Sequence, residues 1–338
     1  MRLITKIQLT ILDNLVWVLL ILFFIFNVLF TKNFFSLQNQ INIVYQTTVV
    51  GMLVLAQGIV MMVGELDLSI DSTLAFAPGV AVLFFGNILS PELLIIATLT
   101  TGALVGLFNG VFITKMHANS FLLTLSTEIV MRGLVLFMIP FSIAGLPPAY
   151  SFLGRGKIGA MLPVAVVAMI IIFIVFEFLF RKTIFGRKFL LTGGNRQAAF
   201  ISGINTDKVV ITAFMLAGIL ASTAGLIAAG RQNAISNNMG KDLVMMAFAG
   251  AILGGGSFNG GMGKPVGMLG GALLLGMIDN SLNLLGVNVS LVSASKGALI
   301  FIAILLDRSR FMLNTIIMHK ENIRKMTGPQ PHTQELQP

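Results

Sequence analysis

Apolar residues fall in ten blocks, near 12–30, 44–63, 72–86, 93–114, 120–139, 160–180, 209–229, 243–254, 264–279 and 291–306. A bilayer is spanned by a helix of about twenty such residues, so the pattern predicts an all-α, polytopic membrane protein of about ten transmembrane helices. The blocks at 72–86, 243–254 and 291–306 are short or interrupted by glycine. They are expected to be re-entrant or broken helices, whose polar backbone must be shielded by protein. One long polar break, Arg181 to Lys208, separates the sixth block from the seventh. Within it Asn195 is placed to cap a helix, Arg196 to Ser202 fill about two turns, and Gly203 supplies a left-handed stop. Gly193 and Gly194 are expected to loosen the backbone just before. A helix this short does not hold itself together in water, so it predicts a partner surface. Ala198 and Ala199 keep its flank slim enough to enter a groove.

Charge then gives the topology. Arg2 and Lys6 lie at the amino end, six basic residues lie in the break, and Arg308, Arg310, Lys320, Arg324 and Lys325 lie in the tail. Together these segments hold thirteen of the 22 lysines and arginines, the bias of segments kept on the cytoplasmic side. Six spans before the break and four after it place both termini and the break in the cytoplasm. The net charge of +9 is accounted for by this bias, without nucleic acid. Residues 1–310 are read as the transmembrane domain and 311–338 as a cytoplasmic tail, partly disordered and ending in a polar, proline-containing run. No small-x-small cleavage site follows the first block, which is read as a retained span.

The chain has no cysteine, which excludes disulfides, thiolate metal sites and a thiol nucleophile. Neither HExxH nor GxSxG is present, and an aspartyl dyad would have to use Asp67 and Asp279, which no motif links. The glycine-rich run at 254–265, GGGSFNGGMGKP, lacks the spacing of a phosphate-binding loop, having Phe258 and Pro265 where Gly and Ser or Thr belong. It is read as a tight turn between helices, with no cofactor bound by this chain; any ATP would be used by another subunit.

Polar groups in apolar surroundings are the candidates for a pathway or gate. Glu65, Asp67, Ser69 and Asp71 lie in the acidic segment GELDLSIDS, where one block ends and the next begins. They read either as a gate or hydroxyl-binding mouth, or as helix caps. Glu128 and Arg132 share a helical face four residues apart, as an internal ion pair or as pathway residues. Gln57 and Asn109 are isolated, and contact with a neighbouring helix ranks ahead of contact with a solute.

Five blocks in order, from GELDLSIDSTLAF through FLLTLSTEIVMRGL and FGRKFLLTGGNRQAAFISGI to GGGSFNGGMGKPVGMLGGALLLG and KGALIFIAILLD, resemble the ribose-type sugar permeases of ABC importers over about residues 35–307. The resemblance implies a pathway for a monosaccharide or related small polyol, in a bacterial cytoplasmic (inner) membrane. It also implies partners: two cytoplasmic ATPase subunits, an extracytoplasmic sugar-binding protein and a second permease copy or homologous permease. Gln197, Ala198, Ala199 and Gly203 match the spacing of such permeases' ATPase-coupling loop, with Gln197 in place of Glu. The family's usual GGIDLSVGS appears here with Glu65 and Asp71 in place of glycines, and Glu128 is not expected beside its Arg-Gly. Nucleoside and branched-chain amino acid permeases share parts of the pattern. An ion-coupled secondary transporter working through Glu65, Asp67 or Glu128 is the reading from a different class.

Overall fold

The computed structural model describes residues 14–159 and 161–288, with isolated positions between 291 and 305. The tail from 311 on, its boundary with the membrane domain, and parts of the last apolar block lie outside the described residues, as do Arg2 and Lys6. The continuous helices among the described residues are α1 (Leu15–Phe30), α2 (Leu37–Met62), α3 (Ile70–Phe85), α4 (Pro91–Lys115), α5 (Ser120–Met138), α6 (Pro148–Arg155), α7 (Val164–Lys182), α8 (Ile184–Gly194), α9 (Arg196–Ile201), α10 (Thr206–Gln232), α11 (Leu243–Leu253) and α12 (Pro265–Leu284). Six of them, α2, α4, α5, α7, α10 and α12, are long and apolar enough to cross a membrane. The shorter apolar helices α1, α3 and α11 fall on further predicted blocks. The only departures from an all-helical chain among the described residues are two short ladders, Ile143–Ala144 with Ala234–Ile235 and Lys157–Ile158 with Leu162–Pro163.

Antiparallel neighbours give the bundle two ends. The near end holds residues 183–205, the C-terminus of α2 and the N-terminus of α12; the Gly261 N–H donates to the Met62 carbonyl there. At the far end Asn39 of α2 and Asn280 of α12 exchange amide hydrogen bonds of 3.1 and 2.9 Å. That buried pair, with Ser36 accepting from the Asn39 N–H, lets α2 begin seven residues ahead of its predicted block.

Small residues set the central contact. α4 carries Gly102, Gly106 and Gly110 at four-residue spacing, facing Gly218 and Phe214 of α10; a Cβ at Gly218 would overlap the Gly102 carbonyl. Such close approach is how helices gain packing energy where lipid supplies no hydrophobic drive. Gly218→Val is expected to force α4 and α10 apart at a cost of about 1–3 kcal/mol, seen as a lower melting temperature in detergent. An unchanged melting temperature would show that the contact has slack. α3 meets α10 through a related device. Pro78 has no N–H for the Leu74 carbonyl one turn back, and the backbone of Gly225 packs against that oxygen.

Two long helices are each followed by a polar turn and a short helix. After α2 the chain turns at Gly64 (φ +79°) and α3 begins beside Asn109 and Thr127, roughly 10 Å inside the near ends of α4 and α5 at 1.5 Å per residue. After α10, residues 233–242 fold back and place Gly240 against the Asp71 carbonyl, from which α11 runs to the near end. The short helices thus start close to each other inside the bundle, the discontinuous arrangement expected of blocks about five and eight residues short of a full span.

Candidate functional site

The near-end helix α9 forms as its residues dictate. Asn195 accepts from the Ala198 N–H at 2.9 Å, the helix closes at Ile201 with Ser202 as its cap, and Gly203 has φ +82°. The Gly203 N–H donates to the Phe200 carbonyl and the Ile204 N–H to that of Ala199. Only Ala199 faces inward; Gln197, Ala198, Phe200, Ile201 and Gly203 are exposed. Phe200 and Ile201 are 68% and 77% exposed, an apolar tip the sequence reading did not single out. Gly193 and Gly194 do not loosen the backbone, contrary to expectation. They end α8, and a Cβ at Gly193 would overlap the Met62 carbonyl, so the residue is small to let α8 press on the end of α2.

Arg196 joins α9 to the bundle. Its guanidinium lies 3.0 Å from Glu65 and 3.5 Å from Asp207, and Asp207 also pairs with Lys115 at 2.8 Å. Glu65 is therefore held in an ion pair with the first residue of α9.

Deeper in, Asp67 accepts from both the N–H and the hydroxyl of Ser69, at 2.8 and 2.6 Å. Ser69 in turn accepts from the Asn109 amide at 2.9 Å, and Asn109 accepts from the Thr127 hydroxyl at 2.8 Å. This buried chain orders the turn into α3 and fastens α4 and α5 to it, so Asn109 makes helix contacts. Gln57 is fully buried too, but neither of its side-chain polar atoms has a hydrogen-bond partner among the described residues.

Where the short helices meet, charges are concentrated. Arg132 of α5 lies 3.6 Å from Asp71 and 3.8 Å from Glu128, and donates to the Asn237 and Met239 carbonyls at 3.4 and 2.9 Å. The backbone amides of Ser72 and Val244 also face the Asp71 carboxylate. Asp71 thus sits at the amino ends of both α3 and α11, where the helix dipoles favour a negative group. Its side chain is buried, whereas those of Arg132 and Glu128 are partly open.

The glycine-rich turn packs against α8 and Gly64 through Gly260 and Gly261, both at positive φ. A cavity of about 450 Å³ beside it is lined by Trp17, Glu177, Arg181 and Lys264, among others. Glu177 accepts from the Val266 N–H at 3.0 Å, so a carboxylate already caps α12. No group of three or more His, Cys, Asp or Glu placed to hold a metal occurs among the described residues.

A bundle of apolar helices, two of them short and meeting at buried charges, with an exposed short helix at one end, defines a multi-pass membrane permease. The chain belongs to the branched-chain amino acid transport system / permease component family, whose profile matches residues 39–304. It is 36% identical over 275 residues to the ribose import permease protein RbsC of Bacillus subtilis, covering 80% of this chain and 85% of that one. With RbsC of Escherichia coli K12 the identity is 34% over 284 residues, 83% and 88% of the two chains. The L-arabinose ABC transporter permease protein AraH of Azospirillum brasilense is 31% identical over 300 residues, 88% of each chain. No solved structure matches.

Proposed function

We propose that this chain is the translocation subunit of an ABC importer for a monosaccharide or related small polyol. The observation that carries the reading is α9: a capped two-turn helix, exposed and apolar at its tip, in a chain similar to ribose and arabinose import permeases. Such a helix suits the groove of a separate ATPase that uses ATP, and this chain itself binds no nucleotide or other cofactor. The near end is then cytoplasmic, the membrane is the bacterial inner membrane, and ten spans place both termini on the cytoplasmic side. A sugar-binding protein delivers solute at the far end. The outer face of α5 supports a second permease copy: Ile129, Val130, Leu136 and Phe137 are exposed, and a Cβ at Gly133 would meet nothing. Glu128 and Arg132, on the same helix, line the pathway between the copies.

The test is reconstitution with the ATPase and binding protein encoded beside this chain. ATP-dependent uptake of a labelled pentose or hexose is expected; uptake of a branched-chain amino acid or nucleoside instead would transfer the reading to those substrates. Uptake by this chain alone, driven by an ion gradient, would remove it. Phe200→Asp, which places a charge on the exposed apolar tip, is expected to lower ATPase co-purification by roughly tenfold or more, as loss of a buried aromatic anchor does. Undiminished recovery of the ATPase would assign the contact elsewhere.

A further inference from the structure

We infer that the Glu65–Arg196 ion pair is the strut that transmits movement of α9 into the bundle, making Glu65 a positioning residue for transport. The inference rests on the docking role proposed for α9. Arg196 is the first residue of that helix, and its 3.0 Å contact with Glu65 spans 131 positions of sequence. The Glu65 side chain is 15% exposed and that of Arg196 40%, so water and salt screen the pair less than one whose two groups both stand on the surface.

Glu65 is also held at its other side. Its N–H donates to the Val60 carbonyl at the end of α2. The residues that follow are sewn to α5: the Leu66 and Leu68 N–H groups donate to the Ser120 and Thr124 hydroxyls, at 3.4 and 3.0 Å. The Thr124 hydroxyl reaches the Leu66 carbonyl as well. Two turns further along α5, Arg132 holds the loop that precedes α11. A displacement of α9 therefore has a directed route through Arg196, Glu65 and α5 to the charges between the short helices. The other contacts of α8 with this region, Gly193 on Met62 and Gly194 on Gly261, are backbone against backbone. They carry no comparable directed side-chain link.

The chain has no cysteine, which makes a reversible test available in the full transporter with its ATPase and binding protein. Solute taken up per ATP hydrolysed is measured in proteoliposomes for the native chain, Glu65→Gln, Arg196→Gln and the double variant Glu65→Cys with Arg196→Cys. Both glutamine variants are expected to lower the ratio roughly fivefold to tenfold, within the span of effects for residues on a coupling route, with ATP hydrolysis changed less than twofold. The double-cysteine protein should share that defect, recover when a flexible bis-methanethiosulfonate bridges the two thiols, and lose the recovery on reduction. Native ratios in both glutamine variants would overturn the strut, as would a double-cysteine ratio indifferent to bridging. Native uptake that ignores ATP would instead overturn the proposed function, and the strut with it.

Discussion

Gly203→Pro is expected to abolish ATP-driven uptake while leaving the protein inserted in the membrane. Gly203 sits at φ +82°, and a proline ring holds φ near −65°. Its N–H closes α9 by donating to the Phe200 carbonyl, a donor proline lacks. A residue forced into a disallowed region costs about 1–3 kcal/mol, enough to undo a two-turn helix that has almost no stability of its own. The bundle is spared because a Cβ at this position meets nothing. Ala198→Trp should give the same loss for a different reason, since Ala198 is exposed on the slim flank and an indole there obstructs docking without strain. Both are measured as ATP-dependent uptake beside the amount of protein recovered from membranes. Normal uptake by both variants would remove α9 from the coupling machinery.

These two variants are designable from sequence because everything they touch lies within ten residues. The Asn195 cap, the two turns and the glycine stop are local chemistry, and the structure places them where that chemistry puts them. Gly193 was misread for the opposite reason. A glycine near a turn suggests freedom, but what keeps this one small is the Met62 carbonyl, more than a hundred residues away. The same division runs through the charges. Glu128 and Arg132 are visibly four apart on one helix, whereas the partners that give Arg132 its position, Asp71 and two carbonyls of the 233–242 loop, belong to two other elements. Glu65 carried a sign in the sequence, a carboxylate where the resemblance led one to expect glycine. Its partner was not legible, because ion pairs across 131 positions leave no periodicity. Apolar blocks located the helices because lipid demands continuous hydrophobicity. Their polar ends were missed wherever, as at Asn39 and Asn280, buried amides satisfy each other.

Arg132→Met is expected to destabilise the protein by about 3–5 kcal/mol, the cost of removing one partner of a buried ion pair. Methionine nearly matches the volume of the arginine stem, so packing is largely kept and the loss is electrostatic. Asp71 would lose its nearest cation at the amino ends of α3 and α11, and the Met239 carbonyl would lose its 2.9 Å donor. Glu128 would add to the imbalance, because it lies on the same side of the guanidinium and is itself partly shielded. The measurement is thermal unfolding of the purified protein in one detergent. The informative companion is Asp71→Asn with Arg132→Met, in which the buried negative charge is removed with its cation. If electrostatics dominates, the double variant melts above the single one despite carrying more changes. If the double variant melts lower still, the carbonyl contacts rather than the ion pair hold the loop before α11. Loss of uptake in the double variant, with stability restored, would then separate the part of Arg132 that keeps the bundle closed from the part that moves it.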